Sequence, residues 1–259
     1  MSDTETQHSS ENVQRQDEER FIQLAGHSNS ILPMPNRTIW KITSTTDEVT
    51  QFGDRIAECN AYITIMKEKQ LKHFVPQYYR CETHNGTSYI LLEDVSFDFP
   101  TSCRTLLDIK MGTRTFSILE TSDKKRSSTA LLGFRIEGTR LPGQIVTKGY
   151  ERLHAREDVQ DVLLKHVGQP AILRQLCTKL RQLRSAIENS NFFRTHEVIG
   201  NSILVVHDGE RCGLWMIDFA NTLRLKDSAV RVELDHRSDS SDGYLKGVDA
   251  LISILEERL

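Results

Sequence analysis

The sequence predicts an α+β fold in two lobes, a smaller β-rich one followed by a larger mixed one. Three observations point there. Short runs rich in β-branched and aromatic residues dominate the first half, such as 37–43 (RTIWKIT) and 88–92 (SYILL). In the second half, Ile172, Leu173, Leu176, Leu180, Leu183 and Ile187 recur at the three-and-four spacing of one helix face. Two apolar runs, 203–207 (ILVVH) and 213–219 (GLWMIDF), are joined by Asp208-Gly209-Glu210-Arg211, in which Asp-Gly is a hairpin signal.

The elements follow in order. Residues 1–20 hold only Met1 and Val13 as aliphatics, so ordering them would bury too little apolar surface to offset the lost chain entropy; a disordered acidic and polar tail is expected. From Phe21 the composition turns globular, with the smaller lobe expected over 21–98 and the larger over 99–259. Residues 37–43 read as a strand around Lys41, and 54–71 as a helix with Ile56, Ile63 and Met66 near one face. Strands are expected at 88–92, 106–110 (LLDIK) and 133–138 (GFRIEG), the last bounded by glycines. Between Gly112 and Gly133 the chain has little core character and reads as surface. Helices are expected over 157–167, ending at Gly168, over 170–190 with Pro170 in the first turn, and over 245–259 through Val248, Leu251, Ile252 and Leu255. No internal repeat is present.

Composition excludes several classes. The chain of 259 residues is 38% hydrophobic and 27% charged, enough for one large domain or two modest lobes. Uninterrupted apolar runs fall far short of the ~20 residues a bilayer crossing needs, and the N-terminus has no basic region followed by an apolar stretch. The net charge of −3, from 33 Lys+Arg against 36 Asp+Glu, argues against a nucleic-acid partner, so an anion site must come from local clustering. Five scattered cysteines without C-x-x-C spacing argue against a zinc ribbon or disulfide scaffold and for a reducing, cytoplasmic setting. There is no Walker loop, no G-x-G-x-x-G, no G-x-S-x-G and no H-x-x-x-H pair.

Four residues carry candidate chemistry. Asp218 ends an apolar strand and is followed by Phe219; a carboxylate there is costly unless paired, hydrogen-bonded or metal-bound, and a strand-capping role is the plain alternative. Lys41 lies mid-strand, where a lysine usually meets solvent; the functional reading is a contact to nucleotide phosphates, steadied by a carboxylate such as Glu58. Asp108 and Lys110 in D-I-K-M-G project from one face of an extended segment, offering an acceptor and a cation to one ligand, and Gly112 permits a turn or a close approach. A Gly/Ser/Asn turn around His27 would cover phosphates with its amides or serve only as a hairpin.

Taken in order, the strings 23–27 (QLAGH), 108–112 (DIKMG), 133–138 (GFRIEG), 192–202 (FFRTHEVIGNS), 217–219 (IDF) and 242–244 (DGY) resemble the inositol polyphosphate kinases, and within them most the inositol 1,4,5-trisphosphate 3-kinases. The resemblance runs from about Phe21 to Leu259. It implies a two-lobed fold, distantly protein-kinase-like or ATP-grasp-like, with ATP in the cleft and Mg²⁺ as cofactor. The implied reaction is phosphorylation of an inositol phosphate hydroxyl, foremost the trisphosphate to the 1,3,4,5-tetrakisphosphate; a broader multikinase or an inactive scaffold are the alternatives. Carried over residue by residue, Lys41 contacts phosphate, Ser30 belongs to the loop over the phosphates, and Glu93, Asp94 and Val95 form the hinge that meets adenine through the backbone. Asp108 holds the ribose hydroxyls beside the reaction centre, Lys110 touches acceptor and transferring group, Asp218 binds Mg²⁺ with Ser202 nearby, and Arg140 is a basic position near the nucleotide.

Three departures bear on the acceptor. Arg104 stands where the family signature has Pro, Ala220 and Asn221 stand where the trisphosphate 3-kinases have Gly and Lys, and the long basic insert after K-M-G is cut to about twenty residues. Lys124, Lys125 and Arg126 are the expected replacement charge, with Arg114, Arg135, Arg152 and Arg156 as further candidates; a solvated surface turn is the alternative for the K-K-R run. Calmodulin control through the insert is not expected, and the expected assembly is a monomer.

Overall fold

The computed structural model describes residues 21–24, 30–44, 46–50, 53–113, 128–225 and 240–259. Three four-stranded antiparallel sheets organise it. The first has the order β1 (Ile31–Met34), β2 (Thr38–Thr43), β6 (Thr87–Glu93), β5 (Tyr78–His84). The second has β11 (Cys212–Ile217), β10 (Ser202–His207), β7 (Thr105–Met111), β8 (Phe134–Arg140). The third joins β3 (Glu48–Thr50) and β4 (Gly53–Ile56) to β12 (Thr222–Arg224) and β9 (His196–Val198), so it is shared between the two halves of the chain. The larger hydrophobic core, from Ile56 to Leu255, touches all three, and a smaller cluster of Leu24, Phe99, Leu106 and Val206 is separate from it. Helices and antiparallel sheets together make the fold α+β, as expected.

Several elements match their sequence signals closely. The β10–β11 hairpin turns at Asp208-Gly209, with Gly209 at φ 95° and the Asp208 carboxylate accepting the Glu210 and Arg211 amides. Helix α3 (Arg156–Val167) ends at Gly168, and α4 (Pro170–Glu188) begins on Pro170 and buries the anticipated apolar face. These follow from local periodicity and from proline's fixed φ at a first helical turn.

Other expectations need correction. The helix expected over 54–71 is first a strand, Gly53–Ile56, and becomes helix α1 only over Glu58–Met66. Pairing of Ile56 with Thr222 recruits the front of that segment, and the Asp47 carboxylate, ten residues upstream, caps the helix through the Ala57 amide at 2.7 Å. Strand β5 carries no alternating pattern, but its partner signal is the Asn85-Gly86 turn, with φ of 51° and 77° in a two-residue hairpin loop. In the 112–133 stretch, Ser128, Thr129 and Leu132 are buried around the short α2 (Thr129–Leu132), not surface; the remainder, residues 114–127, lies outside the described residues, as do 1–20 and His27. The last helix, α6 (Ser240–Glu256), starts earlier than expected. It reaches the start of β8 because Gly247 meets Gly133 backbone to backbone; a Cβ at Gly247 would lie 2.4 Å from the Gly133 carbonyl oxygen. A short α5 (Asn191–Thr195), capped by Ser190, completes the set. Among the described residues no helix is long and apolar enough to cross a membrane.

Candidate functional site

Between the first two sheets lies a cleft of about 430 Å³, within the range usual for small-molecule sites. Ile39, Lys41 and Thr43 alternate along β2 on the face that lines it, so Lys41 points into the cleft and not to solvent. Its ammonium donates to Glu58 at 2.6 Å and to Asp218 at 2.5 Å. Burial works against that charge, but the two carboxylates outweigh it and hold the ammonium well above the ordinary lysine range. Glu58, only 1% exposed, also accepts the Thr43 hydroxyl at 2.9 Å and the Phe219 amide at 3.1 Å, which ties helix α1 to β2 and to the segment after β11.

Asp218 sits at φ 67°, a left-handed conformation uncommon outside glycine and tolerated best by Asp and Asn. It is held there from below. Asn201 donates from its side chain to the Ile217 carbonyl, accepts the buried Tyr244 hydroxyl at 2.9 Å, and offers its own carbonyl to the Met111 amide. The Asp218 side chain is 45% exposed and faces the cleft, while its carboxylate is engaged by Lys41. Burial disfavours its ionised form, yet Lys41 and then Lys110 prevail and the carboxyl lies below its ordinary range.

Strand β7 carries the other pair. Asp108 is buried, 4% exposed, and one of its oxygens, Oδ1, finds no hydrogen-bond partner among the described residues. Burial first, and then the Asp218 charge, push its carboxyl up to about 7, against the Ser202 hydroxyl and Lys110, which favour the ionised form. Lys110 is held at the rim by Gly200, at φ 69°, where an added Cβ would lie 3.2 Å from Lys110 Cε, and by Glu137 at 3.8 Å.

The expected hinge is where the two sheets meet. Glu93, Asp94 and Val95 line the cleft, and Asp94 accepts the Ser96 amide and hydroxyl at 2.9 and 2.8 Å. Arg104, the residue in place of Pro, is fully buried and donates to both the carbonyl and the hydroxyl of Ser96 at 2.9 Å. It therefore braces the segment that follows β6. Ser30 lines the cleft, with its carbonyl accepting the Ile42 amide, and Ala220 and Asn221 line it near Asp218.

Not every expected residue arrives. Ser202 is buried and reaches the site through its hydrogen bond to Asp108, not as an exposed ligand. Arg140 does not line the cleft and donates to the Gln144 and Arg104 carbonyls. Arg156 opens α3 and pairs with Glu257, just past the end of α6, at 2.5 Å, and Arg152 is exposed on a short 3₁₀ turn. Arg135 is buried against Glu137. Arg114, Lys124, Lys125 and Arg126 lie outside the described residues. Asn201, Tyr244 and Glu137 belong to the site yet escape residue-by-residue reading; their strings stood in the motifs, but nothing local marks their roles.

The donor set suits a hard divalent cation. Among the described residues no three His, Cys, Asp or Glu gather into a cage. A cation shared with phosphate oxygens needs only one or two carboxylates, and Asp218, open to the cleft, supplies one.

The inositol polyphosphate kinase family model matches residues 89–256. A Caenorhabditis elegans inositol-trisphosphate 3-kinase homolog is 33% identical, the match covering 92% of this chain and 55% of the relative. Human inositol-trisphosphate 3-kinase A is 31% identical over 91% of this chain and 58% of its own length. The chain thus spans little more than half the length of these curated relatives. Among solved structures, the inositol phosphate multikinase Ipk2 of S. cerevisiae, in complex with ADP and Mn²⁺, shares the fold with a TM-score of 0.58 at 16% identity, covering 76% of this chain and 93% of that one.

Proposed function

The chain belongs to the inositol polyphosphate kinase family, and on that premise we propose that it is an ATP- and Mg²⁺-dependent kinase that phosphorylates an inositol phosphate hydroxyl, foremost inositol 1,4,5-trisphosphate to the 1,3,4,5-tetrakisphosphate. The observation that supports this most is the meeting of Lys41, Asp108, Lys110 and Asp218 in one cleft. Phosphoryl transfer asks for positioning and for neutralisation of anionic oxygens more than for covalent chemistry.

The residues divide that work. The backbone of Glu93–Val95 receives the adenine. Lys41, released in part from Asp218, meets the nucleotide phosphates while Glu58 keeps it aimed. Asp218 would hold Mg²⁺, which when bound would offset negative charge on the nucleotide phosphates. Asp108, expected at the ribose hydroxyls beside the reaction centre, is also suited to take the proton of the acceptor hydroxyl, because its carboxyl is pushed up to about 7 and its Oδ1 has no hydrogen-bond partner among the described residues. The acceptor oxygen forms a bond to the γ-phosphorus as the bond to the β-phosphate oxygen breaks, and Lys110 steadies the charge on the group in transit. Asn221 at the cleft edge offers a hydrogen bond but no positive charge to the acceptor, which favours weaker acceptor binding than a lysine there would give.

The test is product analysis with ATP, Mg²⁺ and a panel of inositol phosphates. Lys110→Ala should lower kcat by ~10²–10³ without changing the thermal midpoint. Comparable turnover on several acceptors would replace the trisphosphate with a broader range, and no turnover on any would overturn the reading.

A further inference from the structure

The β7–β8 pairing is interrupted at one place. Asp108 faces Gly138 and Ile109 faces Ile136, so Glu137 is an extra residue on β8 with no partner across the ladder. Bulges of this kind redirect a side chain and recur beside active sites. Here the redirected side chain is the carboxylate beside Lys110. Glu137 Oε1 lies 3.8 Å from the Lys110 ammonium and 2.5 Å from Arg135 Nη2. Arg135, its side chain 7% exposed, is the buried ion-pair partner of Glu137, whose Oε1 makes no hydrogen bond among the described residues, whereas Lys110, 31% exposed, is the more solvent-accessible partner. Gly138, which follows the bulged residue, lets the Leu24 backbone pack closely on β8, since a Cβ there would lie 2.9 Å from the Leu24 carbonyl oxygen.

A lysine on a four-carbon stem loses considerable rotamer freedom when it is brought to one point. A counter-ion of fixed position lowers that loss before the ligand arrives. At 3.8 Å the contact is loose enough to give way to a more strongly charged phosphate. We propose that Glu137 is a positioning residue, placed by the bulge and anchored by Arg135, that presets Lys110 beside Asp108 and hands it to the anionic acceptor. This rests on the kinase reading above. Glu137 is also felt by Asp108, whose other charged and polar neighbours are Asp218 after β11, Lys110 on β7 and Ser202 on β10; Lys41 and Glu58 stand behind Asp218.

Two measurements on the full chain test it. In steady-state kinetics Glu137→Gln should lower kcat about 10-fold, with KM for ATP unchanged, and Glu137→Asp should recover part of the loss. In the protein free of substrates, ¹³C NMR of the Asp108 carboxyl should titrate near pH 7 in the wild type and at lower pH in Glu137→Gln. Glu137→Asp, which keeps the charge, should titrate close to wild type. Loss of activity in both variants with an unmoved Asp108 titration would reduce Glu137 to a packing role and overturn the proposal, as would unchanged kcat in Glu137→Gln. If the wild type phosphorylates no inositol phosphate, the kinase reading fails, and the carboxyl titration still decides whether Glu137 acts on this pair. If Glu137→Gln does not fold, Glu137→Asp kinetics decide, with wild-type KM for ATP and a partial loss of kcat expected and an unchanged kcat refuting.

Discussion

Glu58→Ala probes the joint on which the cleft depends. The Glu58 carboxylate accepts three hydrogen bonds, from Lys41, Thr43 and the Phe219 amide, and is almost wholly removed from water. Removing one partner of a buried ion pair costs ~3–5 kcal/mol. Lys41 keeps Asp218 at 2.5 Å, so the low end of that range applies. The Phe219 amide loses its acceptor beside a fully buried ring, which adds about 1 kcal/mol. The Thr43 hydroxyl is half-buried and can turn to water, so it adds little. The expected loss is about 4 kcal/mol, a large share of the ~5–15 kcal/mol typical of a whole domain. Urea denaturation at 15 °C measures it. Lys41→Met in the same background removes the stranded cation, so the double variant should be at least about 1 kcal/mol more stable than the two single losses would add up to. A single loss below about 1 kcal/mol, or additivity within ~0.5 kcal/mol, would refute the claim that these groups form one coupled joint.

Three further outcomes are expected. Asp218→Asn should weaken ATP binding in the presence of Mg²⁺ and leave binding without Mg²⁺ nearly unchanged, as isothermal titration with and without chelator would show; equal losses in both would remove the metal role. The folded Asp108 carboxyl keeps its proton up to about 7 while the unfolded chain releases it near 3.8, so between those values the native state binds more protons and stability falls as pH rises. Asp108→Asn lacks that fall, and denaturant titrations at pH 4 and pH 8 should show it gaining on wild type by up to ~4 kcal/mol, whereas a constant difference would refute the perturbation. Gly200→Ala forces a side chain into a left-handed position and against Lys110 Cε. It should lose ~1 kcal/mol of stability, and kcat should fall well beyond what that loss explains; a wild-type kcat would show that the aim of Lys110 is not set there.

Much of the architecture is written locally. The faces of α4, the first-turn Pro170 and the Asp208-Gly209 turn act within a few residues, so their elements emerge where periodicity and turn chemistry place them. Asn85-Gly86 is equally legible and marks the hairpin that ends β5. Misreadings fall where distant chain intervenes. Residues 53–56 look like the start of a helix until β12, some 170 positions on, pairs with them.

The site divides in the same way. Asp108 and Lys110 share a face because a strand has a period of two, and the amino-acid order alone requires it. Nothing in that order says that Lys41 turns inward. Glu58 from α1 and Asp218 from the far end of the chain draw it in, because a buried ammonium is tolerable only beside carboxylates. Nor does it separate Arg140 and Arg156, which face elsewhere, from Glu137, which a one-residue bulge turns toward Lys110. The sequence by itself determined which charges the protein owns and which strands and helices carry them. Tertiary structure decided which charges face one another, because Coulombic and hydrogen-bond energies depend on separations of a few ångströms between residues far apart in the chain.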